Sequence, residues 1–429
     1  MKLERSMKLL EDGLKVIPGA TQTFSKGFNQ FVEGVSPVYL ERGKGSHVWD
    51  VDGNEYIDYI IALLPNILGY SYEAVNEAVR NQLEKGVSFS LPHPLEIQLA
   101  EKLIELIPCA EMVKFGKTGS DATSAAVRAA RAYTEKDVIL YCGYHGWHDW
   151  HIGATSRNLG VPKAVSELTK SFVYNDIENL SELFETYKDQ VAAVIMEPMN
   201  FFEPKAGYLQ QVKDLCHQND SLLIFDEIIT GFRFSLGGAQ EIFGVLPDLA
   251  TYSKVLANGF PLSAVVGSRK VMEIFTDIFY SLTFGGETLS LAAAIATLHE
   301  LETKNVIEHI HEQGQRIKDF VNQTASDLGI EDQVQCIGRP CFSLMKFSDS
   351  DGKDSIALRG LFQQEVVSQG ILFLTTNNLS YGHSKEDVDK TMEAYGNALE
   401  VIKTALAEDD IGKHMLGKPI QPIFSIRRT

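Results

Sequence analysis

Residues 222–261 read LLIFDEIITGFRFSLGGAQEIFGVLPDLATYSKVLANGFP. Leu222-Leu223-Ile224-Phe225 is a short apolar run, the length and composition of a strand buried on both faces. It ends on the carboxylate pair Asp226-Glu227. Acidic side chains are seldom fully buried without a partner, so this pair needs a reason. In an open parallel sheet ligands bind just beyond the carboxyl ends of the strands, which is where Asp226 would stand. A second β-rich run, Leu249 to Ser253, then delivers Lys254 into the loop Asn258-Gly259-Phe260-Pro261.

An acid at one strand end and a lysine at another suit pyridoxal phosphate. The acid keeps the pyridine nitrogen protonated, so the ring accepts electrons, and the lysine holds the aldehyde as a Schiff base. Taken singly, Asp226 also reads as a turn or cap former and Lys254 as a solvated lysine. The rest of the chain has to decide.

At 429 residues the chain exceeds a single core and should divide into domains. Its net charge of −18 is spread along the length, which argues against nucleic acid or an anionic membrane as partner. No apolar run reaches the ~20 residues of a membrane span. The start, MKLERSMKLLEDGLK, lacks a signal-peptide core. Five cysteines without CxxC spacing read as reduced thiols, and the expected location is the cytoplasm.

Alternating apolar residues in PVYLERGKGSHVWDVDGNEYIDY, with turns at Arg42-Gly43 and Asp52-Gly53, predict a small antiparallel meander. Apolar spacing is helical over 72–85 and 95–107. Phe115 to Ala122 reads FGKTGSDA and opens an alanine-rich helix. A Gly-Ser turn at a helix start offers free N–H groups and the positive end of the dipole, a ready phosphate site; a plain capped helix would look alike. The buried strand DVILY precedes GYHGWHDWH, with histidines at 145, 148 and 151. That i, i+3, i+6 spacing does not aim three rings from one helix at a metal, and an aromatic wall over a flat ligand fits better. VAAVIM ends in Glu197-Pro198, LSAVVGS reads as an edge or returning strand, and a long helix follows TFGGETLSL. Strands alternating with helices indicate an α/β domain with a largely parallel sheet. Beyond about residue 305, helices at 305–328, 355–369 and 384–405 and strands near 342–347 and 371–375 suit a smaller α+β domain. The tail, GKHMLGKPIQPIF, is expected to wrap over the surface.

In order along the chain stand PGATQTFSK, VWDVDGNEYIDY, KTGSDATSAAVRAAR, GYHGWHD, VIMEP, FDEIITGFR, SKVLANGFPLSAVVG and TFGGETLSLAA. Together they resemble the class III, fold-type I pyridoxal-phosphate aminotransferases, and most nearly the glutamate-1-semialdehyde 2,1-aminomutase branch. The resemblance spans roughly residues 17–400. It implies a large, mainly parallel seven-stranded sheet domain and a smaller α+β domain. The expected division is an N-terminal helix and meander at 1–60, a large cofactor domain at 61–303 and a C-terminal domain at 304–429.

The same resemblance implies roles for individual residues. Lys254 would carry the cofactor aldehyde and shuttle protons at the substrate carbon, and Asp226 would pair with the pyridine nitrogen. Ile228 and Tyr144 would cover the two ring faces. Gly119 and Ser120 would hold the phosphate, Thr283 would reach the phosphate of a neighbouring subunit in a homodimer, and Glu197 would support the site. Lys26, His145 and Glu287 are the implied substrate contacts. Two departures stand out. Thr23-Phe24-Ser25-Lys26 replaces the mutase's Ser-Pro-Val-Arg, and Gly286-Glu287-Thr288-Leu289 replaces Gly-Asn-Pro-Leu, which points to a differently shaped substrate pocket. An ammonium lacks the bidentate fork that holds a carboxylate firmly.

The expected activity is amino transfer between an amino donor and a small carbonyl acceptor, with sugar-modifying relatives hinting at a keto-sugar. The aminomutase reaction and a racemase on the same scaffold are the alternatives inside the family. Outside it stand a pyridoxal-binding regulator, which the acidity and missing basic patch oppose, and a histidine-based metal hydrolase.

Overall fold

Gly and Pro breakers and period-2 runs cut the chain into the elements of the computed structural model, which describes residues 2–420. The described residues fall into two units, 2–72 with 308–420, and 73–307. The last residues of the expected surface tail, 421–424, and of the expected C-terminal domain, 421–429, lie outside the described residues.

In the first unit, strands β1 (Leu40–Lys44), β2 (His47–Asp50) and β3 (Glu55–Asp58) form the antiparallel meander. Its second turn is made by Asp50, whose Oδ1 accepts the N–H groups of Asp52 (3.0 Å) and Asn54 (2.8 Å). Gly53 there has φ +86°, a conformation that favours glycine. Ile371–Leu372 adds to β3 in parallel. A separate three-stranded sheet pairs Val334–Arg339, Phe342–Phe347 and Thr376–Asn378. Of these, Val334–Arg339 is not foreseen from sequence, because its apolar residues alternate only over three positions before Gly338.

In the second unit seven strands form one sheet: β4 (Met112–Gly116), β5 (Val138–Cys142), β6 (Thr169–Ser171), β7 (Val191–Met196), β8 (Leu222–Asp226), β9 (Leu249–Tyr252) and β10 (Ser263–Gly267). The order is β4-β10-β9-β8-β7-β5-β6. Strands β6, β5, β7, β8 and β9 are parallel neighbours, and β10 runs antiparallel to both β9 and β4. The sheet is therefore mainly parallel, as expected, and β10 is the returning strand rather than an edge. All five of its residues are buried, which an edge position would not give.

The Gly119–Thr134 helix packs on this sheet through Ala122, Ala125, Ala126, Ala129 and Ala130, all buried in one cluster with Ile139, Ile195, Ile224 and Val265. Small side chains let a helix axis approach a sheet closely. That approach holds the helix N-terminus near the carboxyl ends of the strands.

Central strand β8 carries the site, so its core residues should be sensitive. Ile224 is fully buried. Ile224→Ala should cost about 2–5 kcal/mol, from lost burial plus the cavity left behind. Urea denaturation measures it, and a cost under about 1 kcal/mol would contradict the packing described.

Candidate active site

Register places the two decisive residues at neighbouring strand ends. Asp226, the last residue of β8, pairs with Thr251 of β9, and Lys254 follows three residues later. Asp226 is 3 % exposed, and each of its carboxylate oxygens has a partner. Oδ1 accepts the Ile228 N–H (3.1 Å) and the Thr251 hydroxyl (3.3 Å), and Oδ2 lies 2.7 Å from Nδ1 of buried His145. The other ring nitrogen, Nε2, lies 3.2 Å from the Cys142 carbonyl. A carbonyl can only accept, so Nε2 carries hydrogen. With the carboxylate facing Nδ1, both ring nitrogens are engaged.

His145 thus backs Asp226 from behind. It was expected to contact substrate; here Asp226 and the Cys142 carbonyl occupy both of its nitrogens. The next carboxylate, Glu227, turns away to accept the N–H groups of Ala239 (2.8 Å) and Gln240 (2.9 Å) and the Thr230 hydroxyl. Burial raises its pKa, and these bonds oppose the rise. One acid serves the site and the other folds the loop beyond it.

The three histidines go three ways. His148 Nδ1 meets the Ser124 hydroxyl at 2.7 Å. His151 Nε2 accepts the His145 backbone N–H at 3.2 Å. Burial, with the nearby His145, pushes the His151 pKa down to about 2, so its ring stays neutral. Among the described residues no cluster of His, Cys, Asp or Glu is arranged to hold a metal.

Lys254 opens a short 3-10 turn with φ +43°, a left-handed conformation that costs a residue with a Cβ about 1–2 kcal/mol. The strand runs straight into this turn, and Asn258 (φ +42°) closes it. Strain of this kind collects where a side chain must be aimed.

The turn expected to hold the phosphate is built by a capping box. The Thr118 hydroxyl accepts the Asp121 N–H (3.2 Å), and Asp121 Oδ2 accepts the N–H groups of Thr118 (2.7 Å) and Lys117 (3.2 Å). Helix geometry gives the Gly119 and Ser120 N–H groups no intrahelical acceptor. The Ser120 hydroxyl accepts the Trp147 N–H at 3.2 Å, and Thr123 donates to the His145 carbonyl at 2.7 Å. Hydroxyls on two helical turns thereby clamp the aromatic loop 144–150. A Cβ on Gly119 would stand 2.7 Å from Ile228 Cδ1, so the ring-face and phosphate candidates touch. Tyr144 is 37 % exposed, with its N–H on Glu197 Oε1 (3.4 Å) and its ring edge-on to His151 at 5.6 Å. Gly143, at φ +111°, leaves room for Glu197: a Cβ would come within 2.9 Å of its Cγ.

Thr283 and Phe284 stand exposed on the turn before the Thr288–Thr303 helix. Glu287 is that helix's N-cap. It accepts from Leu289 N (2.6 Å), Ser290 N (3.3 Å), Ser290 Oγ (2.6 Å) and Lys117 Nζ (3.0 Å). Burial raises its pKa, but the Ser290 and Lys117 bonds outweigh that and hold it below the usual range. The substrate contact implied for Glu287 is replaced by a cap and an ion pair. Lys117 is a residue that sequence reasoning missed; its place beside Thr118-Gly119-Ser120 was the available signal.

Lys26 belongs to the other unit. It lines a cavity of about 330 Å³ with Thr21, Ser25, Phe28, Tyr39 and Asp58. Asp58 is 1 % exposed and accepts from Tyr70 Oη (2.6 Å) and Ile60 N (2.7 Å). Burial raises its pKa to about 6, against the opposing pull of those bonds and of Lys26.

Residues 31–394 match the family model for class-III aminotransferases. The chain belongs to the class III aminotransferase family. It is 38% identical over 416 residues to a 3-aminobutyryl-CoA aminotransferase of Cloacimonas acidaminovorans (strain Evry), covering 95% of this chain and 99% of that one. It is 35% identical over 424 residues to a glutamate-1-semialdehyde 2,1-aminomutase of Desulforamulus reducens, covering 92% and 97%. The FumI protein of Sphingopyxis sp. MTA144, solved with PLP, superposes with a TM-score of 0.88 at 26% identity over 97% of this chain and 99% of that one. This class III enzyme is a pyridoxal-phosphate-dependent aminotransferase. The geometry fits the cofactor: a buried acid at a strand end, a glycine at a helix start that a Cβ would fill, and a half-exposed tyrosine ring.

His151 supplies a check on the buried loop. An unfolded histidine titrates near 6.5 and the folded one near 2, so below about pH 6.5 the unfolded state binds the extra proton. Stability should therefore fall as pH drops from 7 to 5, by about 2 kcal/mol from this group. Asp58, raised to about 6, acts in the opposite sense over its own window. Denaturation of native protein and His151→Phe at both pH values isolates the histidine. An unchanged slope in the variant would contradict the assignment.

Proposed function

We propose that this enzyme exchanges an amino group between two separate substrates, an amino donor and a small carbonyl acceptor. The observation that carries this reading is Lys26, which stands where the mutase's segment has an arginine: an ammonium lacks the bidentate fork that would hold a carboxylate firmly. The 38% relative is named for an amino acyl-CoA, which supports an aliphatic substrate.

Bound pyridoxal phosphate supplies an electron sink for the substrate carbon and a carrier for nitrogen. The rest falls to the chain's own groups. Asp226, held by His145, Thr251 and the Ile228 N–H, keeps a proton on the ring nitrogen. The Lys254 amine takes and returns the proton at the substrate carbon. Ile228 and Tyr144 cover the ring faces and exclude water, and Gly119 and Ser120 hold the phosphate with N–H groups and a hydroxyl.

An aminomutase must retain its intermediate while nitrogen changes carbon, so a firm carboxylate clamp matters there. Replacing a forked guanidinium by an ammonium weakens that hold by about 1–3 kcal/mol. A half-reaction screen of amino donors, read by the cofactor's absorbance, should find an external donor, and exchange should follow ping-pong kinetics. Lys254→Ala should bind cofactor and not turn over. Rapid 5-aminolevulinate from glutamate-1-semialdehyde without any donor would establish the mutase reaction instead.

The reading includes a homodimer in a reducing, cytoplasmic setting, consistent with five buried free cysteines. Phe279 (81 %), Phe284 (59 %) and Ile97 (65 %) are exposed in the 73–307 unit, as an apolar face awaiting a second copy would be. Thr283 would then reach the neighbour's phosphate. Phe284→Glu should weaken the dimer at least ~30-fold and activity with it, by sedimentation and assay. A fully active monomer would refute the shared site.

A further inference from the structure

Lys117 and Glu287 stand 170 residues apart and meet at 3.0 Å. Their side chains are only 16% and 14% exposed, so solvent and salt screen the pair less than a surface one. Both residues are fixed at their other ends. The Lys117 N–H is held by Asp121, the N3 residue of the helix that starts at Gly119. Glu287 caps the Thr288–Thr303 helix and cannot shift without uncapping it. That helix start is itself anchored, with Thr288 N on the Val87 carbonyl (2.9 Å) and Thr288 Oγ1 on Gly86 O (2.9 Å).

One side of the pair is therefore the turn Lys117-Thr118-Gly119-Ser120. The other is the turn Thr283-Phe284-Gly285-Gly286, whose glycines pass close to their neighbours. A Cβ on Gly286 would come within 2.6 Å of Glu96 Oε1, and one on Gly285 within 3.3 Å of the Leu282 carbonyl, with the Phe115 carbonyl in ordinary contact at 3.8 Å. No other ion pair among the described residues joins these two turns.

We propose that Lys117–Glu287 is a positioning pair that locks the phosphate turn to the Thr283–Gly286 turn and so sets affinity for a phosphate-bearing ligand without touching it. The proposal rests on the reading of Gly119 and Ser120 as the phosphate turn. It also accounts for the departure at Glu287. A carboxylate there answers an ammonium at 117, where its purpose is geometry rather than substrate choice.

Charge and geometry predict opposite signs for one variant. If the pair acted only through its field, Glu287→Gln would remove a negative charge near the phosphate and tighten binding. If it acts by position, the same change loosens the turn while the Gln amide oxygen still caps the helix. The experiment titrates cofactor-free protein with pyridoxal phosphate and, separately, with pyridoxal, following tryptophan fluorescence; Trp147 bonds Ser120. Glu287→Gln and Lys117→Met should each weaken pyridoxal phosphate about three- to tenfold. Pyridoxal, which lacks the phosphate, should change less than twofold, and Lys117→Arg should restore native affinity. Thermal melts confirm that each variant is folded. Tighter binding by Glu287→Gln, or equal loss for both ligands, would overturn the positioning role. Native protein that binds pyridoxal as tightly as its phosphate would instead overturn the phosphate-turn reading beneath it.

Discussion

A carboxylate at the end of a central buried strand must find donors or lose its charge, and Asp226 finds three groups. Its contact with His145 at 2.7 Å is the most consequential, because the ring is held on its far side by the Cys142 carbonyl. Removing either partner would leave the other as an uncompensated buried group, the costly case. The clamp also joins β5, which carries Cys142, to β8, two strands away across β7. The loop between them and the ring faces it offers are built on that bond.

Around it the candidate site is assembled by contacts that hold one another. The Thr118–Asp121 box shapes the turn at the helix start, Ser120 and Thr123 tie the aromatic loop to the helix, and Glu197 steadies Tyr144 across Gly143. Together they place seven candidate cofactor residues at strand ends, the turns after them and one helix start of a single unit. Rigid elements hold such a constellation better than loops would. The strained Lys254 turn shows the same economy of motion, since a fixed backbone aims a flexible amine.

Acidic residues that look alike in sequence have separate work. Asp226 is held by His145 at a strand end, Glu227 folds the following loop, Glu287 caps a helix, and Asp58 lines a cavity with its pKa near 6. Environment alone distinguishes them, as it does in any enzyme that sets one carboxyl group against another.

The sequence by itself determined the α/β class, the mainly parallel sheet, the strand-end acid and lysine, and the family. Apolar runs ending in turn residues and eight ordered motifs are local signals, readable without coordinates. Tertiary structure decided what depends on residues far apart. His145 looked like a substrate contact until the fold set it behind Asp226, 81 residues on. Glu287 was expected in a pocket; the fold makes it the cap of the helix that follows and pairs it with the distant Lys117. The LSAVVGS strand could be edge or interior until β4 paired with its outer side. A side chain's role is fixed by its partners, and partners brought together from distant parts of the chain leave no periodicity or spacing in the sequence to read.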